Sequence, residues 1–354
     1  MSEPTVRAGQ ETELDLLRVF AALAVIVMHL APTQEPETAS ALGRAMFHVI
    51  PAAVTWCVPC FIMVSGRFLL DPARPLPTRK LFGQYLLRLV ITFAFWSPLY
   101  RVYETALLGM HYGWRAFLSL SLTGFYHMWY LFLLAGLYLV TPVLRRIAED
   151  EKTMRYFLLL FFAVNVLTEY VQYLPGIGWS VANALEYSHL HLVLGYTGYF
   201  MLGLYLRYAE FSPRAERAIY LAGLLCLLFT ATACLWLPTP AGEEQSFFQL
   251  YRKTNVVIES AALYLFFVRR VSRLDFSARL AAVLAGCARL SMGVYMAHVM
   301  VYGVLYELLR RSGSGLLSLP GAQSWLLFVI PVYLFSLAVA WLLKKIPVLG
   351  KYIA

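Results

Sequence analysis

The stretch that most constrains this fold is LDLLRVFAALAVIVMHL, from Leu14 to Leu30. It is apolar and long enough to enter a bilayer, yet it carries Asp15, Arg18 and His29, three groups that hydrocarbon penalises. Arg18 and His29 are eleven residues apart. In an α-helix that spacing is about three turns and about 16 Å, so the two side chains lie on one face.

Such a face favours a protein interior or a water-filled cavity, because ionisable groups inside membranes rarely contact lipid. We expect Asp15 and Arg18 near the cytoplasmic start of the helix and His29 near mid-membrane. The alternative is purely structural. In that case Asp15 and Arg18 hold the helix end at the lipid headgroups and His29 hydrogen-bonds a neighbouring helix.

The composition of the whole chain excludes a soluble globular protein. Of its 354 residues, 60% are hydrophobic and 14% are charged, which is typical of a polytopic membrane protein. Counting apolar runs predicts an all-α membrane bundle of about ten transmembrane helices. With both termini in the cytoplasm, 22 of the 29 Lys and Arg residues lie on the inner side, as the positive-inside rule requires.

The chain divides into a short tail and one membrane domain. Residues 1–12 are polar and predict a cytoplasmic N-terminal tail without a signal peptide, and residues 13–354 predict a single integral-membrane domain. The net charge of +9 comes from basic residues at helix ends and not from one patch. We therefore predict contacts with membrane lipids and no nucleic-acid partner.

Basic residues gather where the third predicted span begins, in TRKLFGQYLLRLV. Arg79, Lys80 and Arg88 lie at or just inside the cytoplasmic face. They could simply obey the positive-inside rule. Cations at this depth would also suit the phosphates of a nucleotide-bearing donor such as a coenzyme A thioester.

The eighth predicted span has a polar face of a different kind. Arg252, Asn255 and Glu259 follow one another at spacings of three and four residues, which places them on one side of a helix. An intrahelical charge pair bridged by an amide explains the pattern without function. The same donors and acceptors could line a site for an acceptor sugar.

Two further histidines are candidates for substrate binding. His127 stands beside an outer aromatic belt in GFYHMWYLF, and His298 lies within the apolar segment SMGVYMAHVMV. A mid-span histidine is more often a hydrogen-bonded core group than a functional one.

Metal, disulfide and common nucleotide motifs are not predicted. The pair Cys57 and Cys60 forms a C-x-x-C inside an apolar segment, where core packing explains it best, and we predict no metal. The sequence has no H-x-x-x-x-D pattern, Walker phosphate loop, G-x-S-x-G elbow or Gly-rich dinucleotide turn. The remaining chemistry is an intramembrane histidine that could act as general base toward a hydroxyl.

The chain resembles the acyltransferase 3 family of integral-membrane acyltransferases. The likeness begins at LDLLRVFAALAVIVMHL and continues in order through FIMVSGRFLLDP, QYLLRLV, HMWYLFLLAGLYLVTPVLRRI, YTGYFMLGLYL, SMGVYMAHVMV and KKIPVLGKYI. It is most similar to single-domain bacterial members that O-acetylate surface polysaccharides or their lipid-linked precursors.

The resemblance implies roles for several residues. Arg18 and His29 match the arginine and histidine of the first helix, with His29 catalytic. Of the R-x-x-R of the third helix only Arg88 is present, because Tyr85 occupies the first arginine position. The family also implies acyl-CoA, commonly acetyl-CoA, as donor, a glycan acceptor, and a multi-pass location in the bacterial cytoplasmic membrane. A transporter or flippase of lipid-linked carbohydrate is the alternative from another class, and a membrane sensor or scaffold is a third.

Overall fold

The computed structural model describes residues 11–31, 41–170, 175–176, 180–181, 184, 190–236, 250–251, 253–313 and 326–354. Throughout these ranges the regular structure is helical and contains no strand, which confirms the predicted all-α class. Most of the predicted tail, residues 1–10, and the predicted site residue Arg252 lie outside the described part.

The described ranges contain fifteen α-helices: α1 Thr12–Leu30, α2 Ala41–Ala53, α3 Cys57–Leu69, α4 Thr78–Lys80, α5 Leu87–Leu108, α6 Trp114–Thr123, α7 Trp129–Ala148, α8 Glu151–Tyr170, α9 Leu190–Tyr208, α10 Pro213–Trp236, α11 Thr254–Arg269, α12 Ala278–Arg289, α13 Ser291–Arg311, α14 Val329–Lys344 and α15 Gly350–Ile353. A π-helical turn, Leu81–Leu86, joins α4 to α5, and a 3₁₀ turn, Tyr126–Met128, leads into α7.

Within the described ranges, four helical stretches are long and apolar enough to cross a membrane. They are Ala45–Leu69, Trp114–Ala148, Pro213–Trp236 and Ser291–Arg311. Helix α1 carries three charged residues, Glu13, Asp15 and Arg18, in its first two turns. The protein is therefore a helical membrane protein, while the count of ten spans and the cytoplasmic termini stay predictions.

Helix α1 lies between two hydrophobic cores. Leu14, Leu17 and Val25 are buried in the larger core, which also contains residues of α3, α7, α9 and α11. Ala22 and Ile26, on another side of α1, belong to a smaller core formed with α13 and α14. The apolar residues that the sequence places around α1 thus hold it at the centre of the bundle.

Glycines allow α3 and α9 to pack backbone against backbone. A Cβ atom on Gly66 would lie 1.8 Å from the carbonyl oxygen of Phe200, and one on Gly203 would lie 1.9 Å from the carbonyl oxygen of Met63. Small residues at such contacts are how membrane helices approach closely. Helix α3 also packs against α1, and Cys57 and Cys60 of α3 are fully buried, as core packing predicts.

Candidate functional site

Three histidines from distant parts of the sequence meet in the interior. His29 comes from α1, His127 from the 3₁₀ turn before α7, and His298 from the first half of α13. The ring centroids of His29 and His298 are 4.9 Å apart, those of His127 and His298 are 5.3 Å apart, and those of His29 and His127 are 6.1 Å apart. The structure therefore unites three of the residues that the sequence singled out.

The position of His29 along its helix is defined, whereas its depth near mid-membrane stays a prediction. His29 lies in the last turn of α1, which ends at Leu30, and Ala31 follows with a non-helical ψ of 133°. The apolar run and the helix end together, so the histidine lies at the end of α1 opposite to Asp15 and Arg18.

Hydrogen bonds determine which nitrogen of each ring carries the proton. His298 Nδ1 lies 2.6 Å from the carbonyl oxygen of Tyr295, and because a carbonyl only accepts, Nδ1 is the donor. In a neutral ring His298 Nε2 is then an acceptor, and it lies 3.0 Å from His29 Nδ1, which must donate. This assignment leaves the lone pair of His29 on Nε2.

A cavity of about 290 Å³ opens beside His29. Its lining consists of aromatic, aliphatic and glycine residues around the imidazole: His29, Leu30, Tyr103, Tyr126, Val299, Tyr302, Gly303 and Tyr306. His127 and His298 are only 1% and 0% exposed, whereas His29 is half-buried. His29 is thus the histidine of the cluster that a substrate in the cavity can reach.

His127 closes the cluster on its buried side. Its ring packs edge-on against Tyr100 at a centroid distance of 5.1 Å, and its backbone carbonyl accepts a hydrogen bond from the Tyr295 hydroxyl. The geometry gives His127 a packing contact with both other histidines and no direct opening to the cavity.

Arg18 lies toward the other end of α1 from His29. Its guanidinium pairs with Asp15 at 3.3 Å and lies 5.1 Å from the centre of the Phe68 ring. The side chain is 29% exposed, so a bound molecule could still reach it. Arg18 and His29 therefore share a helix but do not contact each other.

The predicted donor-site cations have different surroundings. Arg88 donates to the carbonyl oxygen of Ala354 at 2.5 Å, so the last helix of the chain, α15, is held against α5. Arg79 and Lys80 are exposed in α4, and the Lys80 ammonium lies 5.9 Å from the Tyr85 ring centre. Arg79 and Lys80 are accessible to phosphates, whereas Arg88 is already bound to backbone.

The polar face of the eighth predicted span points away from the histidines. Asn255 Nδ2 donates to Thr230 Oγ1 at 2.6 Å, and Thr230 Oγ1 lies 3.5 Å from Glu259 Oε2. This network joins α10 to α11, and Glu259 lines a second cavity, together with Trp56 and Tyr220. The structure therefore does not bring Asn255 or Glu259 to the His29 cavity.

Sequence reasoning missed the tyrosines of the cavity, Tyr103, Tyr126, Tyr302 and Tyr306. A signal for two of them was present. His298, Tyr302 and Tyr306 recur at intervals of four residues, which places them along one face of α13. Tyr103 and Tyr126 come from other elements, and no local pattern connects them to that face.

The fold and the site together define a class: a helical membrane protein with buried histidines beside an aromatic cavity. The family model described as Acyltransferase domain matches residues 11–345, nearly the whole chain. The chain therefore belongs to the acyltransferase 3 family, and this membership supports an acyltransferase activity. Comparison with curated proteins gave no significant match, and neither did comparison with solved structures.

Proposed function

We propose that the protein transfers an acyl group, commonly acetyl, from acyl-CoA to a hydroxyl of a surface polysaccharide or lipid-linked sugar, with His29 as general base. The observation that carries the proposal is the proton arrangement of the histidine pair. His298 accepts the Nδ1 proton of His29, so the basic Nε2 of His29 is not occupied by a proton and the ring borders an open cavity.

The proposed reaction needs no covalent acyl-enzyme. His29 Nε2 takes the proton of the acceptor hydroxyl as its oxygen attacks the thioester carbonyl. The carbon–sulfur bond then breaks, and the leaving thiolate takes the proton back from the imidazolium, so one ester and one thiol are formed. General base catalysis of this kind typically contributes about 10²- to 10⁴-fold in rate.

His298 is proposed as a positioning residue in this step. While His29 carries the extra proton, its Nδ1–H donates to His298 Nε2, which orients the ring and disperses the charge. His298 is itself fixed by the carbonyl oxygen of Tyr295 in the same helix. The arrangement is that of a general base whose ring is oriented by a hydrogen-bond acceptor on its other nitrogen.

The donor is proposed to approach from the cytoplasmic side, where both termini are predicted to lie. Arg79 and Lys80 are exposed and could bind its phosphates, while Arg18 lies between that side and His29 on the central helix. Arg88 could contribute only by exchanging its contact with Ala354. We place the protein in the bacterial cytoplasmic membrane, in line with its family resemblance.

The test compares His29→Gln and His29→Ala with the wild type in lipid nanodiscs supplied with labelled acetyl-CoA and membrane glycolipid. Both variants should lose transfer by about 10²-fold or more, because neither side chain can accept the proton. Insertion and thermal unfolding serve as controls, and Gln keeps an amide that can still donate to His298. Near-normal transfer by either variant would contradict the assignment.

The same preparation separates an enzyme from a carrier. A transporter or flippase would move labelled glycolipid across the membrane without consuming acetyl-CoA, and His29→Gln would leave that movement intact. Acyl incorporation that depends on His29 supports the enzyme.

A further inference from the structure

We infer that the cavity beside His29 binds one uncharged sugar ring of the acceptor between the tyrosines of α5, α13 and the 3₁₀ turn. The inference rests on the proposed function, because it takes His29 as the base. It adds the chemical class of the ring and the residues that select it.

The size of the cavity limits what it can hold. At about 290 Å³ it is at the small end of ligand pockets, which begin near 300 Å³. That volume suits one ring-sized group and is too small for a whole nucleotide-bearing donor. The acceptor ring and the donor therefore reach His29 from different directions.

The lining suits a polyhydroxylated ring. Tyrosine offers an apolar face for the C–H groups of a sugar and a hydroxyl that both donates and accepts hydrogen bonds. Tyr302 and Tyr306 are neighbours on α13 with ring centroids 6.1 Å apart, and the Tyr126 ring lies 5.7 Å from His29. Tyr126 and Tyr306 are 59% and 43% exposed, so part of their area is accessible to a ligand.

Charge is the selective feature. Among the lining residues that belong to the described part of the chain there is no Asp, Glu, Lys or Arg. The charged residues of α13 near the cavity are paired with each other, Glu307 with Arg310 and Arg311. On α5, Arg101 is paired with Glu104. A carboxylate or phosphate on the ring itself would lose water without gaining a cation, so the cavity favours a neutral ring.

Gly303 sets the width of the cavity. A Cβ atom at this position would lie 1.8 Å from the hydroxyl oxygen of Tyr103. The Tyr103 hydroxyl occupies the space that the absent side chain of Gly303 leaves. Gly303→Ala should therefore shift the Tyr103 hydroxyl and change the width of the cavity without altering any hydrogen bond of His29.

The experiment uses octyl glycosides in nanodiscs with labelled acetyl-CoA, because the octyl chain inserts in lipid and presents the sugar at the membrane. The uncharged probes are octyl glucoside, galactoside and mannoside, and the charged probe is octyl glucuronide. Wild-type protein should acylate at least one uncharged probe and discriminate against the glucuronide about tenfold or more, since an unpaired charge is costly to bury.

Variants of the lining provide the residue-level test. Tyr302→Leu and Tyr306→Leu should raise the KM for the accepted glycoside about fivefold, because each removes one aromatic contact, while the KM for acetyl-CoA stays unchanged. The Phe variants keep the ring and should lose less. Tyr306→Arg should shift preference toward the glucuronide. Tyr156→Leu is the matched control, since Tyr156 is 67% exposed on α8 and outside the lining.

The outcomes distinguish a failure of the proposed function from a failure of the proposed acceptor site. Wild-type protein that acylates membrane glycolipid but none of the four probes overturns the acceptor site, whereas wild-type protein that acylates neither contradicts the proposed function. Wild-type protein that acylates a glycoside, with a KM that none of the tyrosine or Gly303 variants changes, overturns the acceptor site. Equal or better use of the glucuronide overturns the preference for an uncharged ring. Thermal unfolding identifies any variant that fails to fold. If a Leu variant of Tyr302 or Tyr306 fails to fold, the KM of the corresponding Phe variant is compared with that of the wild type instead.

Discussion

The two ends of α1 are built from opposite kinds of polar group. At its start, Glu11 pairs with Arg67 at 2.7 Å and with Arg74 at 2.9 Å, while Asp15 pairs with Arg18. At its other end, the polar contact is between His29 and His298, whose proton arrangement is that of two neutral rings. The ion pairs of Glu11 with Arg67 and Arg74 hold the start of the helix in place, whereas a neutral pair can receive a proton during a reaction.

This difference determines at which end of α1 a side chain can accept a proton. A charged pair has already gained its electrostatic stabilisation and resists any change of protonation. A hydrogen-bonded imidazole pair has one basic lone pair remaining, which can accept a proton during a reaction. Substitutions at the charged end should therefore lower stability, and substitutions at the neutral end should lower rate.

The largest expected effect is at the charged end. Arg67 is only 3% exposed, and Arg67→Ala leaves the largely buried Glu11 with Arg74 alone. Removing one partner of a buried pair costs about 3 kcal/mol or more, so thermal unfolding in detergent should show a clear loss of stability. An unchanged unfolding temperature would mean that the pair does not hold α1 against α3.

The next effect is on catalysis at the neutral end. His298→Ala removes the acceptor of the His29 Nδ1 proton and should lower kcat about 10²-fold with little change in KM. His298→Gln restores an acceptor oxygen and should recover part of kcat, which a merely structural role would not predict. The pH profile of kcat should also change in His298→Ala, and an unaltered profile with normal kcat would refute the positioning role.

A smaller effect is expected in the network between α10 and α11. Thr230→Val removes the hydroxyl that links Asn255 and Glu259 and should lower stability by about 1 kcal/mol. Because this network lies at a different cavity from His29, acyl transfer per folded molecule should not change. If Thr230→Val instead specifically raised the KM for the acceptor, Asn255 and Glu259 would be part of the acceptor site, as the sequence suggests.

The smallest effect is at an exposed pair that has the same chemistry as the charged end of α1. Arg146 pairs with Glu149 at 3.1 Å, but the two side chains are 81% and 51% exposed. Arg146→Ala should leave the unfolding temperature unchanged within error, because solvent screens exposed pairs. A loss of stability comparable to that of Arg67→Ala would show that burial does not explain the difference between the Arg146–Glu149 pair and the Glu11–Arg67 pair.

Much of α1 could be predicted from sequence, because periodicity and polarity are local properties. The apolar run Leu14–Leu30 corresponds to the helix Thr12–Leu30, and the hydrogen bond of His29 to a neighbouring helix, which the structural alternative expects, is present. The place of His29 in the last turn follows from the same run, which ends at Leu30 as the helix does.

Longer-range relations were harder to predict. Spacing placed Asn255 and Glu259 on one face of a helix, but it could not say that the face meets Thr230 of α10. The contact of Arg88 with Ala354 joins residues 266 positions apart, and no local pattern encodes it. The meeting of His127 with His29 and His298 likewise depends on how three elements pack.

The hydrogen bond from His298 to the Tyr295 carbonyl has a consequence for how such proteins could diversify. The acceptor in that bond is main chain, so exchanging the side chains around the cavity leaves it in place. Tyr302 and Tyr306 lie one and two turns further along the same helix. The specificity of the cavity can thus be redesigned by substitution at these two positions while the proton-handling pair is left as it is.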